Sequence, residues 1–414
     1  MNLLHLFYGL LTHLAWWCLH LVAWFSPKMA LFVKGRKRTK EFLKSANVGE
    51  APWVWMHVAS LGEFEQGLPI LERIRSEYPS HKVVLTFFSP SGYEVKKDTK
   101  VADQVLYLPM DTRGNAKLFL NTFNPVLAIF VKYEIWPNYL MQLKQRKIPT
   151  LLVSAIFSKR QVYFKPWGGF MRKNLRAFSH FFVQEEQSKL LLESVGHENV
   201  TVGGDTRFDR VSEILKRNNQ LDFMERFKNG NFCFVAGSTW PEDEAILVDY
   251  INKAPKDLKF VLAPHTIKPV KIEKIKSSIS KSTLRYSEMG NQDISNYQVL
   301  IVDTIGLLTK IYSYADVAYV GGAFATGLHN TLEPAVFGIP VIIGPEFEGF
   351  KEAENLVHLN GIQVVHNSED FNALMHRFVS ENTFRKAIGK INSDYIQQNV
   401  GATESVLDYV RTIL

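Results

Sequence analysis

The chain has 414 residues, 46% of them hydrophobic and 21% charged, with a formal net charge of +7. That length supports two domains with full cores, and that composition excludes a disordered or fibrous chain. The excess charge points to an anionic partner, but Lys28, Lys34, Arg36, Lys37, Arg38 and Lys40 supply nearly all of it, so no basic face for nucleic acid is expected on the folded domains.

The first stretch, Asn2 to Phe25, has no charged side chain. As a helix it would be about 36 Å long, enough to cross a bilayer core. Trp16, Trp17 and Trp24 suit a membrane interface. The basic residues after it favour the cytoplasmic side and anionic lipid. His5, Gly9, Thr12, His13, Trp16 and His20 fall on one stripe at helical spacing. The helix therefore either spans, lies in the interface, or presses that stripe against the protein. The absence of a basic n-region and of a small-x-small site before Pro27 argues against a cleaved signal peptide. Cys18 and Cys233 suggest neither a disulfide nor a zinc site.

From Pro52 onward strands and helices alternate, which predicts a doubly wound parallel sheet. Strands are expected at residues 54–58, 82–88, 104–108, 126–131, 150–155, 180–183 and 200–203. A polar helix over 211–229 precedes a second alternating unit. Its strands are expected at 232–236, 259–262, 299–302, 317–320, 341–343 and 362–365, with helix after Asp370. The expected fold class is α/β of GT-B type, two Rossmann-like domains facing across a cleft behind an N-terminal membrane-anchoring helix. The divisions are 1–40 for anchor and basic cluster, 41–212 for an acceptor domain and 213–414 for a nucleotide-sugar domain, whose last helices can cross back.

Candidate chemistry gathers where strands end. Glu63, in Ala59-Ser-Leu-Gly-Glu63, follows the first strand, with Gly62 expected to open the backbone before the helix. It is either a capping-box Glu with Ser60 as N-cap, or a general base. Glu134, in Glu134-Ile-Trp-Pro137, follows the fourth strand in the same topological position. Arg207 is either an ion-pair partner of Asp205 or Asp209, or a clamp for a donor carboxylate or phosphate. In the second domain Ser238 and Thr239 precede Pro241, an ordinary helix start that is also a phosphate cradle. Pro264 and His265 follow the next strand and could edge a base pocket.

The stretch from Ala315 to Pro345 reads as strand, glycine turn, helix, strand. Gly321 and Gly322 allow close backbone approach. His329 leads to Asn330, an expected N-cap for a helix from about Thr331 to Gly338. Glu333 in its first turn either offsets the helix dipole or holds a ribose. The sequence contains no Asp-x-Asp, Walker loop or Gly-x-Gly-x-x-Gly. The expected site has no metal and no cofactor, its phosphate met by N–H groups and basic side chains.

These motifs, in this order and over almost the whole length, resemble the 3-deoxy-D-manno-octulosonic acid (Kdo) transferase family. The carriers are Ser60 to Glu63, Glu134 to Pro137, Gly204 to Asp209, Ser238-Thr239, His329 to Pro334 and Gly344-Pro345. Arg207, Trp240, His265 and Gly349 depart from the residues the family pattern leads one to expect. The resemblance implies CMP-Kdo as donor, a lipid A precursor as acceptor, inversion at the anomeric carbon, no required metal and Glu63 as base. It implies action at the cytoplasmic face of the inner membrane. The alternative is another membrane-associated GT-B enzyme using a UDP-sugar.

Overall fold

The computed structural model describes residues 3–325 and 327–414. Asn2 of the apolar segment and Thr326 of the glycine loop lie outside the described residues. The chain divides into two compact units, one running through Arg210 and resumed by Val400–Leu414, the other Val211–Asn399.

The first unit begins with α1 (Leu3–Val22) and α2 (Pro27–Ser45). There follow β1 (Trp53–Val58), α3 (Leu61–Glu77), β2 (Lys82–Phe87), α4 (Pro90–Lys96), β3 (Gln104–Tyr107), α5 (Arg113–Phe123), β4 (Leu127–Val131) and α6 (Pro137–Gln145). Next come β5 (Thr150–Ala155), α7 (Gly169–Leu175), β6 (His180–Val183), α8 (Glu186–Glu193), β7 (Val200–Val202) and α9 (Thr206–Lys216), within which the chain passes from the first unit to the second. All seven strands pair in parallel in the order β3-β2-β1-β4-β5-β6-β7. β1 is buried at every position, as a strand covered on both faces must be. Its side chains alternate between two cores. Trp53 and Trp55 join Phe119, Phe123 and Tyr139 on one face. Val54, Met56 and Val58 join Phe64, Leu71 and Ile74 on the other. Gly67 lets α3 lie close on β1, since a Cβ there would meet Met56 Sδ at 2.5 Å.

The second unit contains α10 (Asp222–Lys228), β8 (Phe232–Thr239), α11 (Pro241–Lys253), β9 (Leu258–Pro264), α12 (Pro269–Ser278), β10 (Thr283–Arg285), β11 (Val299–Ile301) and α13 (Leu308–Ile311). It continues with β12 (Val317–Val320), α14 (Leu332–Ala335), β13 (Val341–Ile343), α15 (Lys351–His358), β14 (Ile362–Val364), α16 (Ser368–Ser380) and α17 (Asn382–Asn399). Its sheet is also seven-stranded and parallel, in the order β10-β11-β9-β8-β12-β13-β14. The last helix, α18 (Ala402–Val410), belongs to the first unit. Its Val406, Leu407 and Val410 pack with Leu71 and Ile74. Asp209 anchors its start, accepting the N–H groups of Gly401 at 2.6 Å and Thr403 at 2.7 Å.

Several expectations change. The single helix over 211–229 is two helices, α9 and α10, because residues 217–221 are not helical. β10 was not expected; three residues with one buried side chain give no legible alternation. Gly62 lies inside the first turn of α3, and its φ is not positive, so it performs no opening of the chain. α14 is only four residues long, with Thr331 rather than Asn330 as its N-cap.

The N-terminal region also differs from a plain anchor followed by surface charge. α2 packs Phe32, Val33, Arg36, Thr39 and Leu43 inward. Arg36 is not a surface cation. Its guanidinium lies 3.5 Å from the Phe32 ring centroid and donates to the Phe88 carbonyl at 2.8 Å, and burial lowers its pKa to about 9. Tyr8 of α1 donates to buried Asp111 Oδ2 at 2.8 Å, and His5 packs edge-on against Phe170. Of the stripe, His5 meets the rest of the unit and Thr12 is buried, bonded to the Tyr8 carbonyl within the helix; Tyr8 adds the bond to Asp111, while Leu6, Phe7, Leu10, Leu14 and Trp17 are exposed. Among the described residues no helix is long and apolar enough to cross a membrane.

Candidate active site

In the first unit the strand order turns between β1 and β4, since β2 and β3 lie on one side and β5 to β7 on the other. In the second it turns between β8 and β12. Ligands of open α/β sheets bind beyond the carboxyl ends of strands at such points. Glu63 and Glu134 follow β1 and β4; Ser238 and Thr239 are the last residues of β8, and the Gly321-Gly322 turn follows β12.

Glu63 is not a capping-box residue. Ser60 makes no side-chain cap bond, and the Glu63 carboxylate accepts the backbone N–H of Ala59 instead. It is buried, at 9% exposure. Burial first, and the charge of Glu134 second, push its pKa up to about 7, against the Ala59 N–H and the charge of Lys132. A carboxylate poised there can take a proton near neutral pH.

Glu134 is equally buried, and two side chains converge on its Oε2. Trp136 Nε1–H donates at 2.8 Å, and His57 Nε2 lies at 2.9 Å. Arg207 takes the ion-pair alternative. Its Nε and Nη2 donate to Asp205 Oδ2 at 2.9 and 2.8 Å, and its backbone N–H donates to Oδ1 at 2.9 Å. Gln66 also donates to Asp205, at 3.0 Å.

In the second unit Ser238 has a φ of 54°, an αL conformation at the end of β8. Thr239 Oγ1 donates to Glu244 at 3.2 Å. Asp243, which sequence reading missed, organises this corner. Fully buried, it accepts Trp240 N–H at 2.8 Å, Gly322 N–H at 3.0 Å and the Tyr319 hydroxyl at 2.6 Å. Burial raises its pKa, and the three donors oppose that rise. Gly321 is required by this packing, because a Cβ there would meet Ser238 O at 2.5 Å and Asp243 Oδ2 at 2.7 Å. Gly322 adopts φ 100°.

Trp240 stacks on His265 with centroids 4.4 Å apart, and His265 faces His329 at 4.8 Å. Trp240 Nε1–H donates to His329 Nε2 at 3.2 Å, so that nitrogen carries a lone pair. Burial, then His265, lowers the pKa of His329. Pro264 closes β9 and is buried. Asn330 Oδ1 accepts Leu332 N–H at 3.1 Å, and its Nδ2 donates to Glu333 at 3.2 Å. Thr309 donates to the other Glu333 oxygen at 2.7 Å. A four-residue helix has little macrodipole, so an anion here would depend on the local N–H groups. The first turn of α11 already holds Glu242, Asp243 and Glu244.

Solved structures with this topology include the UDP-GlcNAc 2-epimerase from Neisseria meningitidis bound to UDP-GlcNAc. It matches over 87% of this chain and 100% of that one, with a TM-score of 0.61 and 14% identity. MurG from Acinetobacter baumannii matches over 87% and 99%, with a TM-score of 0.53 and 13% identity. The fold is α/β of GT-B class, two Rossmann-like units. The family described as 3-Deoxy-D-manno-octulosonic-acid transferase (kdotransferase) matches residues 31–210. The 3-deoxy-D-manno-octulosonic acid transferase of Aquifex aeolicus is 31% identical over 298 residues, 70% of this chain and 76% of that one. That of Haemophilus influenzae is 26% identical over 389 residues, 90% of each. This protein is a glycosyltransferase, and the chain belongs to the Kdo transferase family.

Proposed function

We propose that this chain transfers Kdo from CMP-Kdo to a lipid A precursor at the cytoplasmic face of the inner membrane. The observation that carries the reading is Glu63, a buried carboxylate raised to about 7 at the switch point of the first sheet, in a chain of this family. Glu63 takes the proton of an acceptor glucosamine hydroxyl. The freed oxygen attacks the anomeric carbon of Kdo, and the bond from that carbon to the CMP phosphate oxygen breaks. Attack opposite the leaving group inverts the anomeric centre, and CMP departs with the electron pair.

The second unit takes the nucleotide in this scheme. Thr309 and Asn330 orient the Glu333 carboxylate as an acceptor for two ribose hydroxyls. Ser238, Thr239, Gly322, His329 and Asn330 border the phosphate and sugar, and Pro264 and His265 border the base. Arg207, already paired with Asp205, retains exposed surface and serves as a second contact for an anionic donor. The exposed apolar face of α1, followed by Lys28, Lys34, Lys37, Arg38 and Lys40 on the exposed side of α2, supports docking to an anionic bilayer surface without a span.

The test is transfer from CMP-Kdo, generated in situ, to a tetraacylated lipid A precursor in detergent, read by mass spectrometry. A mass gain of one or more Kdo units is expected, and none with Glu63→Gln. Transfer from a UDP-sugar with none from CMP-Kdo would overturn the donor assignment.

A further inference from the structure

A fully buried histidine in the middle of a parallel sheet is costly unless every ring nitrogen is satisfied. His57 has 0% exposure on β1, the strand that ends at the catalytic corner. Its Nδ1 lies 2.8 Å from Thr86 Oγ1 and 3.1 Å from the Thr86 carbonyl. Thr86 is oriented in turn by Trp55, whose Nε1–H donates to its Oγ1 at 2.8 Å. The ring's other nitrogen, Nε2, meets Glu134 at 2.9 Å. Phe130 of β4 and Trp136 beyond β4 meet the ring edge-on, and the Trp55 ring lies tilted to it.

The chain of contacts therefore runs from Trp55 through Thr86 and His57 to Glu134, and the charge of Glu134 acts on Glu63. We propose that His57 is a positioning residue for transfer: it fixes Glu134 as the buried negative charge beside Glu63, and so tunes Glu63 as the base. The inference rests on the base assignment above. The titratable groups facing Glu63 are Glu134, Lys132 and Tyr133, whose hydroxyl feels both Glu63 and Glu185. Among the described residues in contact with the His57 ring, the titratable group is Glu134.

Without His57, the buried Glu134 oxygen keeps Trp136 as donor but loses the contact that ties it to β1. The carboxyl is then free to turn away from Glu63, whose pKa its charge helps to raise. With that charge displaced, Glu63 ionises at lower pH as a weaker base.

The experiment is the pH profile of kcat/KM for wild type, His57→Phe, His57→Gln and Glu63→Gln. Glutamine can present an amide N–H where Nε2 lies; phenylalanine cannot. In His57→Phe the acid limb moves about one pH unit lower with a reduced plateau, so its rate relative to plateau at the foot of the limb rises about tenfold. His57→Gln keeps the wild-type limb. Identical limbs in wild type and His57→Phe, or equal displacement in the Phe and Gln variants, overturn the positioning role. If His57→Phe does not fold, His57→Leu, which likewise presents no polar group to Glu134, carries the same comparison. An active Glu63→Gln enzyme overturns the base assignment itself, whereas an inactive one beside unmoved His57 limbs overturns only the inference about His57.

Discussion

The Glu63 carboxylate accepts the backbone N–H of Ala59, four residues back across the strand-to-helix turn. One hydrogen bond of this kind offsets only part of the burial that raises its pKa. The site therefore keeps a carboxylate that is costly to ionise where it stands. Such placement follows function more readily than folding.

Replacing Glu63 by Gln should abolish transfer and also stabilise the protein above neutral pH. A carboxyl whose folded pKa is raised from 4.5 to about 7 binds more protons folded than unfolded, so its contribution falls as pH rises through that window. At pH 8 the gain should be roughly 1–3 kcal/mol, and at pH 4 it should vanish. Thermal unfolding of both proteins at the two pH values measures it. A Gln variant no more stable at pH 8 would contradict the burial argument.

In the proposed role the same group should set the pH dependence of the reaction. As a base, Glu63 must be ionised, so kcat/KM should be flat above about 7 and fall about tenfold per pH unit below it. An acid limb centred near 4.5 would mean that the carboxylate is solvated in the working enzyme. Initial rates from pH 5 to 9 with saturating donor decide this.

The sequence makes some of this legible and hides the rest for identifiable reasons. Buried parallel strands are continuous apolar runs, so β1, β5, β12 and β13 stand out. Glu63 and Glu134 are legible because each directly follows such a run. The order of strands is tertiary, so the two switch points cannot be read locally. Asp243 looks like a helix-start acid beside Glu242 and Glu244, and its role depends on Tyr319 and Gly322 from a distant strand end. Arg36 reads as one more cation in a basic cluster, yet the helical spacing of Phe32, Val33, Arg36 and Leu43 carries it inward.

Asp243 gives a prediction for the second unit. Replacing it by Ala leaves the Tyr319 hydroxyl and the N–H groups of Trp240 and Gly322 without their acceptor. Each buried unpaired donor costs about 1–3 kcal/mol, so this variant should melt well below wild type. Asp243→Asn keeps one acceptor oxygen and should fold. Its Gly321-Gly322 turn should be looser and its affinity for CMP at least several-fold weaker by calorimetry. Unchanged CMP affinity in a folded Asn variant would separate this corner from the nucleotide site.

The last prediction concerns α1. Leu10 is 65% exposed and Trp17 61%, on the side away from the contacts of Tyr8 and Thr12, while Trp24 and Phe25 follow at 81% and 86%. Each large apolar side chain transferred from water to lipid contributes about 1.5–3 kcal/mol. The exposed lysines of α2 add attraction to an anionic surface, which salt screens. Leu10→Glu with Trp17→Glu should release the protein from vesicles containing anionic phospholipid, with the fold and CMP affinity unchanged. Transfer to acceptor in those vesicles should fall at least tenfold, while transfer to acceptor in detergent should be nearly preserved. Flotation with vesicles measures the first effect and mass spectrometry the second. A doubly substituted protein that still floats with vesicles would locate the membrane contact elsewhere on the chain.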